Sequence, residues 1–181
     1  MEENEALLVQ RFKAGDQTAF NRIVLKYQKL IYNLVLKMIR NTEEAKDLSQ
    51  EVFVKAYRSL KDFKGDSSLS TWLYKIAYNM SLNYSSREKS RTFLSFGEVD
   101  DTLESKDSAL NELEKKGLTQ AIDKAILDLP KKQKGVLVLR YYENRSFAEI
   151  AEMTNRSEGS VKANFFQALK KLEKSLERFK N

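Results

Sequence analysis

Residues Ser146 to Leu172, SFAEIAEMTNRSEGSVKANFFQALKKL, carry their own start, turn and stop signals, which confine them to two helices crossing at a tight corner. Ser146 is placed to cap the first helix, and Glu149 three residues later completes a capping box. Ile150 and Ala151 face inward, and Ala151 is small enough for a second helix to cross closely above it. Asn155 falls where the chain must turn, and Asn tolerates left-handed backbone angles. Ser157 caps the second helix, whose inward stripe is Val161, Phe165, Ala168, Leu172 and Leu176 at helical spacing. Ala163, Phe166, Gln167, Lys170 and Lys174 then point outward, with Lys162 and Asn164 on the flanks. Such a face suits a DNA major groove: Lys reaches guanine or phosphate, Asn and Gln pair with adenine, and Phe166 meets a thymine methyl. The plainer alternative is a helical hairpin with a solvated lysine face.

Charge is arranged in blocks. Net charge is +6, yet residues 1–92 hold 16 Lys/Arg against 11 Asp/Glu, residues 93–129 hold 4 against 9, and residues 130–181 hold 12 against 6. Two basic blocks separated by an acidic one suit a chain that grips a polyanion at two places. A single Pro and six Gly in 181 residues favour helices throughout. The absence of Cys excludes disulfides and thiolate metal sites and fits a cytoplasmic protein. The absence of His removes the side chain that titrates most readily near neutrality. No run is long enough to span a membrane, and the N-terminus is acidic rather than signal-like. Most hydrolase and metalloenzyme readings fall away, so neither a cofactor nor catalysis is expected.

Apolar spacing predicts a short helix over Glu5 to Ala14, stopped by Gly15. Asp16 caps a second helix carrying Phe20, Ile23, Val24, Tyr27, Ile31, Leu34, Val35 and Met38. A third starts at Asn41 and Thr42 and runs to about Lys61. Asp62 to Ser70 reads as a loop, and a fourth helix spans Thr71 to about Lys89. Residues 93–108 lose periodicity and read as a flexible acidic linker. A second domain begins near Ala109 with a helix to about Leu127, and Pro130 opens the next helix as its first residue.

Two further constellations lie in the first domain. Asp47, Gln50, Glu51 and Val54 share one face of the third helix, opposite Ala45, Leu48, Val52 and Ala56, with Phe53 at the boundary. An acidic face with an aromatic edge on a basic protein is either a docking surface or a solvated helix face. In FKGDSSLSTWLYKIAYNMSLNYSSREKSR, Phe63, Trp72, Tyr74, Tyr78 and Tyr84 alternate with Lys64, Lys75, Arg87, Lys89 and Arg91. Asn79 and Asn83 stand one helical turn apart. Rings that stack, cations that hold phosphates and amides that read base edges are the means of binding single strands. The alternative is that the aromatics are core; for Trp72 both roles stay open.

DLSQEVFVKAYRSL, FKGDSSLSTWLYKIAYN and EIAEMTNRSEGSVKANFFQALKKL together resemble the three hallmark segments of the extracytoplasmic-function (group four) bacterial sigma factors of the sigma-70 family. The resemblance spans nearly the whole chain. It implies an all-α fold with a region 2 bundle (1–92), the acidic linker (93–108) and a region 4 helix-turn-helix domain (109–181). It implies a partner, RNA polymerase core, reached through the β′ clamp helices and the β flap. Asp47, Gln50, Glu51 and Phe53 would dock on the clamp. Phe63, Lys64, Gly65, Asp66, Ser67 and Ser68, with Trp72, Lys75, Asn79, Asn83 and Tyr84, would open the −10 element and capture a flipped base. Arg156, Ser157, Ser160, Lys162, Ala163, Asn164, Phe166 and Lys170 would read the −35 duplex. The linker would thread toward the RNA path, and an anti-sigma factor is expected as a further partner. Asn164, Gln167 and Leu169 stand where the family often carries Arg, and Thr154 and Arg156 where it is usually apolar.

Two other functions fit parts of the chain. A stand-alone dimeric helix-turn-helix regulator would use residues 130–181 but leave the aromatic loop and acidic face idle. A metal-dependent hydrolase acting on nucleic acid would need clustered inward carboxylates, whereas these are scattered or outward.

Overall fold

The computed structural model describes the backbone of residues 4–92 and 121–177 and the side chains of 4–84 and 121–177. The acidic linker over 93–108 and the start of the helix near Ala109 lie outside the described residues. Among the described residues every regular element is helical.

The first half comprises α1 (Glu5–Lys13), α2 (Gln17–Ile39), α3 (Thr42–Ser59), a 3₁₀ turn (Leu60–Asp62) and α4 (Leu69–Thr92). Side-chain caps set the starts. Asp16 accepts from the Thr18 N–H to begin α2, and Asn41 accepts from the Glu44 N–H to begin α3. Ser68 Oγ accepts from the Thr71 N–H at 3.0 Å, which starts α4 two residues earlier than apolar spacing predicts. α2 is the central helix: Ile23, Ile31, Leu34, Val35 and Met38 are buried, and it packs on α1, α3 and α4. Fully burying each such side chain contributes about 1.5–3 kcal/mol. Three rings close the α1–α2–α3 corner, with Tyr57 set edge-on 5.1 Å from both Phe12 and Phe20.

The second half comprises α5 (residues 121–127), α6 (Lys131–Leu137), a π-helical turn (Val138–Tyr142), α7 (Phe147–Thr154) and α8 (Glu158–Ser175). Pro130 sits just outside α6, as its N-cap rather than its first residue. The apolar run KKQKGVLVLRYY does not continue as one α-helix. The Glu143 N–H bonds back to the Val138 carbonyl, five residues earlier, and the chain widens into the π turn. That widening aims Glu143 and Arg145 back at the first half.

The two halves share one core. Val136, Val138, Leu139, Ile150, Met153 and Val161 belong to the same buried cluster as α2, α3 and α4, and α4 packs directly on α7. A smaller satellite of Ile126, Leu129, Leu137 and Ala168 holds α5, α6 and α8 together.

Candidate nucleic-acid interface

The helix-turn-helix forms from local signals. Ser146 Oγ accepts from the Glu149 N–H at 3.2 Å, while Glu149 Oε2 accepts from the Ser146 N–H at 2.8 Å, closing the capping box. The backbone N–H of Ser146, with Arg145 beside it, holds the Glu149 carboxyl below its usual range. Asn155 ends α7 in the left-handed conformation (φ 53°, ψ 52°), and Ser157 caps α8 through the Ser160 N–H. Val161 and Ala168 are buried as expected, and Ile150 and Met153 fill the space between the helices.

The outward face of α8 is not uniform. Phe166 is 61% exposed and rests edge-on against Phe165, whose centroid lies 5.8 Å away. Phe165 in turn meets Phe147 at 5.5 Å, so the exposed ring stands on a braced stack. Ala163 and Lys170 are exposed beside it. Lys162 pairs with Glu158 at 2.7 Å. Both are about half exposed, a pairing worth at most about 1 kcal/mol that a phosphate readily replaces. Asn164 is less available, because its amide donates to the Ser160 carbonyl at 2.7 Å. Arg156 is half-buried, and its charge reaches the Tyr78 hydroxyl on α4. Thr154, unusual for its position, satisfies its hydroxyl on the Ile150 carbonyl.

The loop before α4 is shaped at both ends. Lys13 donates to the Phe63 carbonyl, and the Phe63 N–H closes on the Leu60 carbonyl at 3.2 Å. Gly65 turns with φ +81°, which a β-carbon would strain. Lys64 and Asp66 are exposed, and Ser67 is half-buried. Phe63 lies against Trp72, centroids 5.2 Å apart, and both rings are half-buried. Trp72, Lys75, Asn79 and Asn83 follow one stripe of α4, with Lys75, Asn79 and Asn83 exposed. Tyr84 packs partly on the core. Tyr74 and Tyr78, for which the sequence left stacking and core both open, are core residues, 1% and 2% exposed. They occupy another face of α4, where Glu143 and Arg145 meet Tyr74 and Gly135 of α6 meets Tyr78.

On α3, Asp47, Gln50 and Glu51 are exposed while Ala45, Leu48, Val52 and Ala56 are buried. Phe53 is 9% exposed and belongs to the buried core. It forms one wall of an open groove completed by Val54, Tyr57 and Arg58. Val54 is 50% and Tyr57 39% exposed, so the acidic face continues into an apolar one. The sequence left Tyr57 and Arg58 out of this surface. Their spacing, two turns along the helix from Gln50 and one from Val54, was the available signal. No group of three or more His, Cys, Asp or Glu able to hold a metal occurs among the described residues, and no helix among them is long and apolar enough to cross a membrane.

Comparison with known proteins places the whole chain in one family. Residues 23–91 match the Sigma-70 region 2 family and residues 119–172 the Sigma-70, region 4 family. The chain is 35% identical to the ECF RNA polymerase sigma factor SigW of Bacillus subtilis, covering 93% of this chain and 94% of that one. The chain belongs to the extracytoplasmic-function sigma factors. Similar relatives of this sigma factor include the RNA polymerase sigma-H factor of Pseudomonas aeruginosa, 32% identical over 97% of this chain and 95% of that one. Among solved structures, CnrH in complex with the cytosolic domain of CnrY aligns with a TM-score of 0.71 at 20% identity, over 96% of this chain and 97% of that chain. RpoE of Bartonella quintana, bound to the anti-sigma factor NepR, gives 0.68 at 20% identity, over 87% and 96%. These likenesses agree on the fold. With both sigma regions present in order, the protein is an RNA polymerase sigma factor rather than a stand-alone helix-turn-helix regulator.

Proposed function

We propose that this sigma factor uses three separate surfaces to direct RNA polymerase core to promoters, without catalysis of its own and in the cytoplasm. Residues 1–92 serve as the region 2 domain, 93–108 as the linker and 109–181 as the region 4 domain. Asp47, Gln50 and Glu51, with Phe53 in the groove wall, dock on the β′ clamp helices. The observation that carries this reading is the sidedness of α3: its apolar face is buried, yet its acidic face runs exposed into an apolar groove. A face of that kind fits a partner offering both cations and apolar side chains.

Phe63 to Ser68, Trp72, Lys75, Asn79, Asn83 and Tyr84 capture unpaired −10 bases. The exposed residues of this set hold the strand, and the Phe63–Trp72 pair offers a ring edge for a flipped base. On α8, Ala163, Phe166 and Lys170 stand ready for the −35 duplex, with Lys162 joining once Glu158 releases it. Ser157, Ser160 and Asn164 flank them, and Arg156 offers a further phosphate contact. If each stacked base and each bidentate contact contributes roughly 1–3 kcal/mol, binding offsets local unpairing. The solved relatives CnrH and RpoE are seen with CnrY and NepR, which supports an anti-sigma partner here as well.

The test is reconstitution with core polymerase, followed by sequencing of the RNA 5′ ends. New start sites preceded by a shared −35/−10 pair are expected. Asp47→Lys with Glu51→Lys should abolish holoenzyme formation while leaving −35 duplex binding by the chain intact. Holoenzyme formation by that variant would overturn the docking face.

A further inference from the structure

Gln133 on α6 is a polar residue in a buried place, only 8% exposed. It stands one turn before Leu137, which shares the satellite core with Ala168 of α8. Its Nε2 donates to Gln167 Oε1 on α8 at 2.9 Å, while its own Oε1 has no hydrogen-bond partner among the described residues. Losing the bond to Gln167 would leave both ends of a buried amide unpaired, so Gln133 holds Gln167 firmly. Turning the Gln133 amide over gives no better arrangement. Its Nε2 would then be the unpaired group, and orphaned buried N–H groups are rarer in folded proteins than under-satisfied carbonyls.

Gln167 itself is exposed, next to Phe166 and one turn before Lys170, on the outward face of α8. Its oxygen and nitrogen branch from one planar carboxamide, so drawing the oxygen to Gln133 turns the N–H groups away from α6. A glutamine with both groups free reads adenine by accepting from N6 and donating to N7 at once. Gln167 cannot do both while Gln133 engages its oxygen. What it still offers is a donor, and guanine is the base whose major-groove edge presents two acceptors, N7 and O6. One turn earlier Asn164 is polarised in the opposite sense. Its amide nitrogen is drawn back to the Ser160 carbonyl at 2.7 Å, which leaves its oxygen to face a partner. The outward position of Gln167 follows from helical spacing, but its polarity is set by a residue 34 positions away.

We infer that Gln133 is a positioning residue that holds Gln167 as a donor, so that this sigma factor prefers guanine over adenine at the −35 base that Gln167 meets. This rests on the function proposed above, and the experiment keeps the two apart.

Holoenzyme is offered promoter duplexes randomised across the −35 element, and the bound sequences are counted. The native chain should enrich guanine at one base, and Gln167→Ala should lose that enrichment. Gln133→Met keeps the length and burial of the side chain but has no donor. It should free Gln167 to pair with adenine and lower the guanine-to-adenine ratio at that base roughly tenfold, with the other bases unchanged. A shift spread over all bases is what loosened packing of α6 on α8 would give, and it would overturn the positioning role. An unchanged ratio in Gln133→Met would overturn it too. Gln167 is exposed, so its replacement leaves the fold intact, and guanine enrichment that survives Gln167→Ala would refute the contact even if Gln133→Met failed to fold. In the free full-length chain, the side-chain amide protons of Gln133 should exchange with solvent several-fold more slowly than those of exposed Gln28, as read by NMR. Gln167→Ala should speed them, and equal rates in the native chain would remove the hydrogen bond. Should holoenzyme start RNA at no site, the function proposed above falls, and the exchange rates still decide whether Gln133 holds Gln167.

Discussion

The indole of Trp72 lies 5.2 Å from the ring of Phe63 at a tilt of 50°, so the loop ahead of α4 is pinned to the helix it introduces. Lys13 fixes the Phe63 carbonyl from the other side. Both rings stay partly exposed next to Lys75 and Asn79.

Trp72→Ala should therefore weaken capture of single-stranded −10 DNA by the holoenzyme by roughly 1–3 kcal/mol, the contribution of one stacked base. Binding of −35 duplex should not change. Fluorescence anisotropy with labelled oligonucleotides reads both, and equal losses on the two DNAs would show that Trp72 is only a core residue.

Removing the capping box should cost stability in a defined pattern. Ser146→Ala should cost about 1 kcal/mol. Glu149→Ala should cost a similar amount, and the double variant less than the sum, because each side chain caps the other's backbone N–H. Urea denaturation of the three variants checks this, and additive losses would refute the coupling.

Asp16 gives a pH signature. Hydrogen bonds from Thr18 and Arg11 lower its carboxyl to about 2 from 3.8. A depressed folded value means that its contribution is complete above the unfolded value and is lost as pH falls through the folded one. The stability difference between the native chain and Asp16→Asn should be constant above about pH 4 and shrink between about 4 and 2. A difference that stays flat across that window would reject the assignment.

On α8, charge and shape should separate. Lys170→Ala should lower the slope of log affinity against log salt by about 0.9, the release of one counterion. Phe166→Ala should leave that slope unchanged and reduce discrimination between thymine and other bases at one −35 position. Quantitative footprinting at several salt concentrations distinguishes them, and a changed slope in Phe166→Ala would remove its role in reading bases.

Much of this was legible in the chain because it is local. Asp16, Asn41, Ser146 and Ser157 cap where the sequence places them, and Asn155 turns as its type allows. These contacts span two to four residues, so composition and spacing are enough to specify them. The exposed acidic face of α3 and the buried stripe of α8 follow from helical period alone.

What the chain could not disclose is what depends on contacts far apart in sequence. For Tyr74 and Tyr78 the sequence leaves stacking and core both open, and contacts with Glu143, Arg145 and Gly135 bury them. Nothing local links Tyr74 to Glu143, 69 positions away. The π turn over Val138–Tyr142 reads as plain helix, and it is this widening that turns Glu143 toward its partners. The sequence by itself determined the helices, their caps and the membership of each buried stripe, since those are set by neighbours within a turn or two. The tertiary structure alone decided which of two faces of α4 is available, because that choice depends on burying one half of the protein against the other.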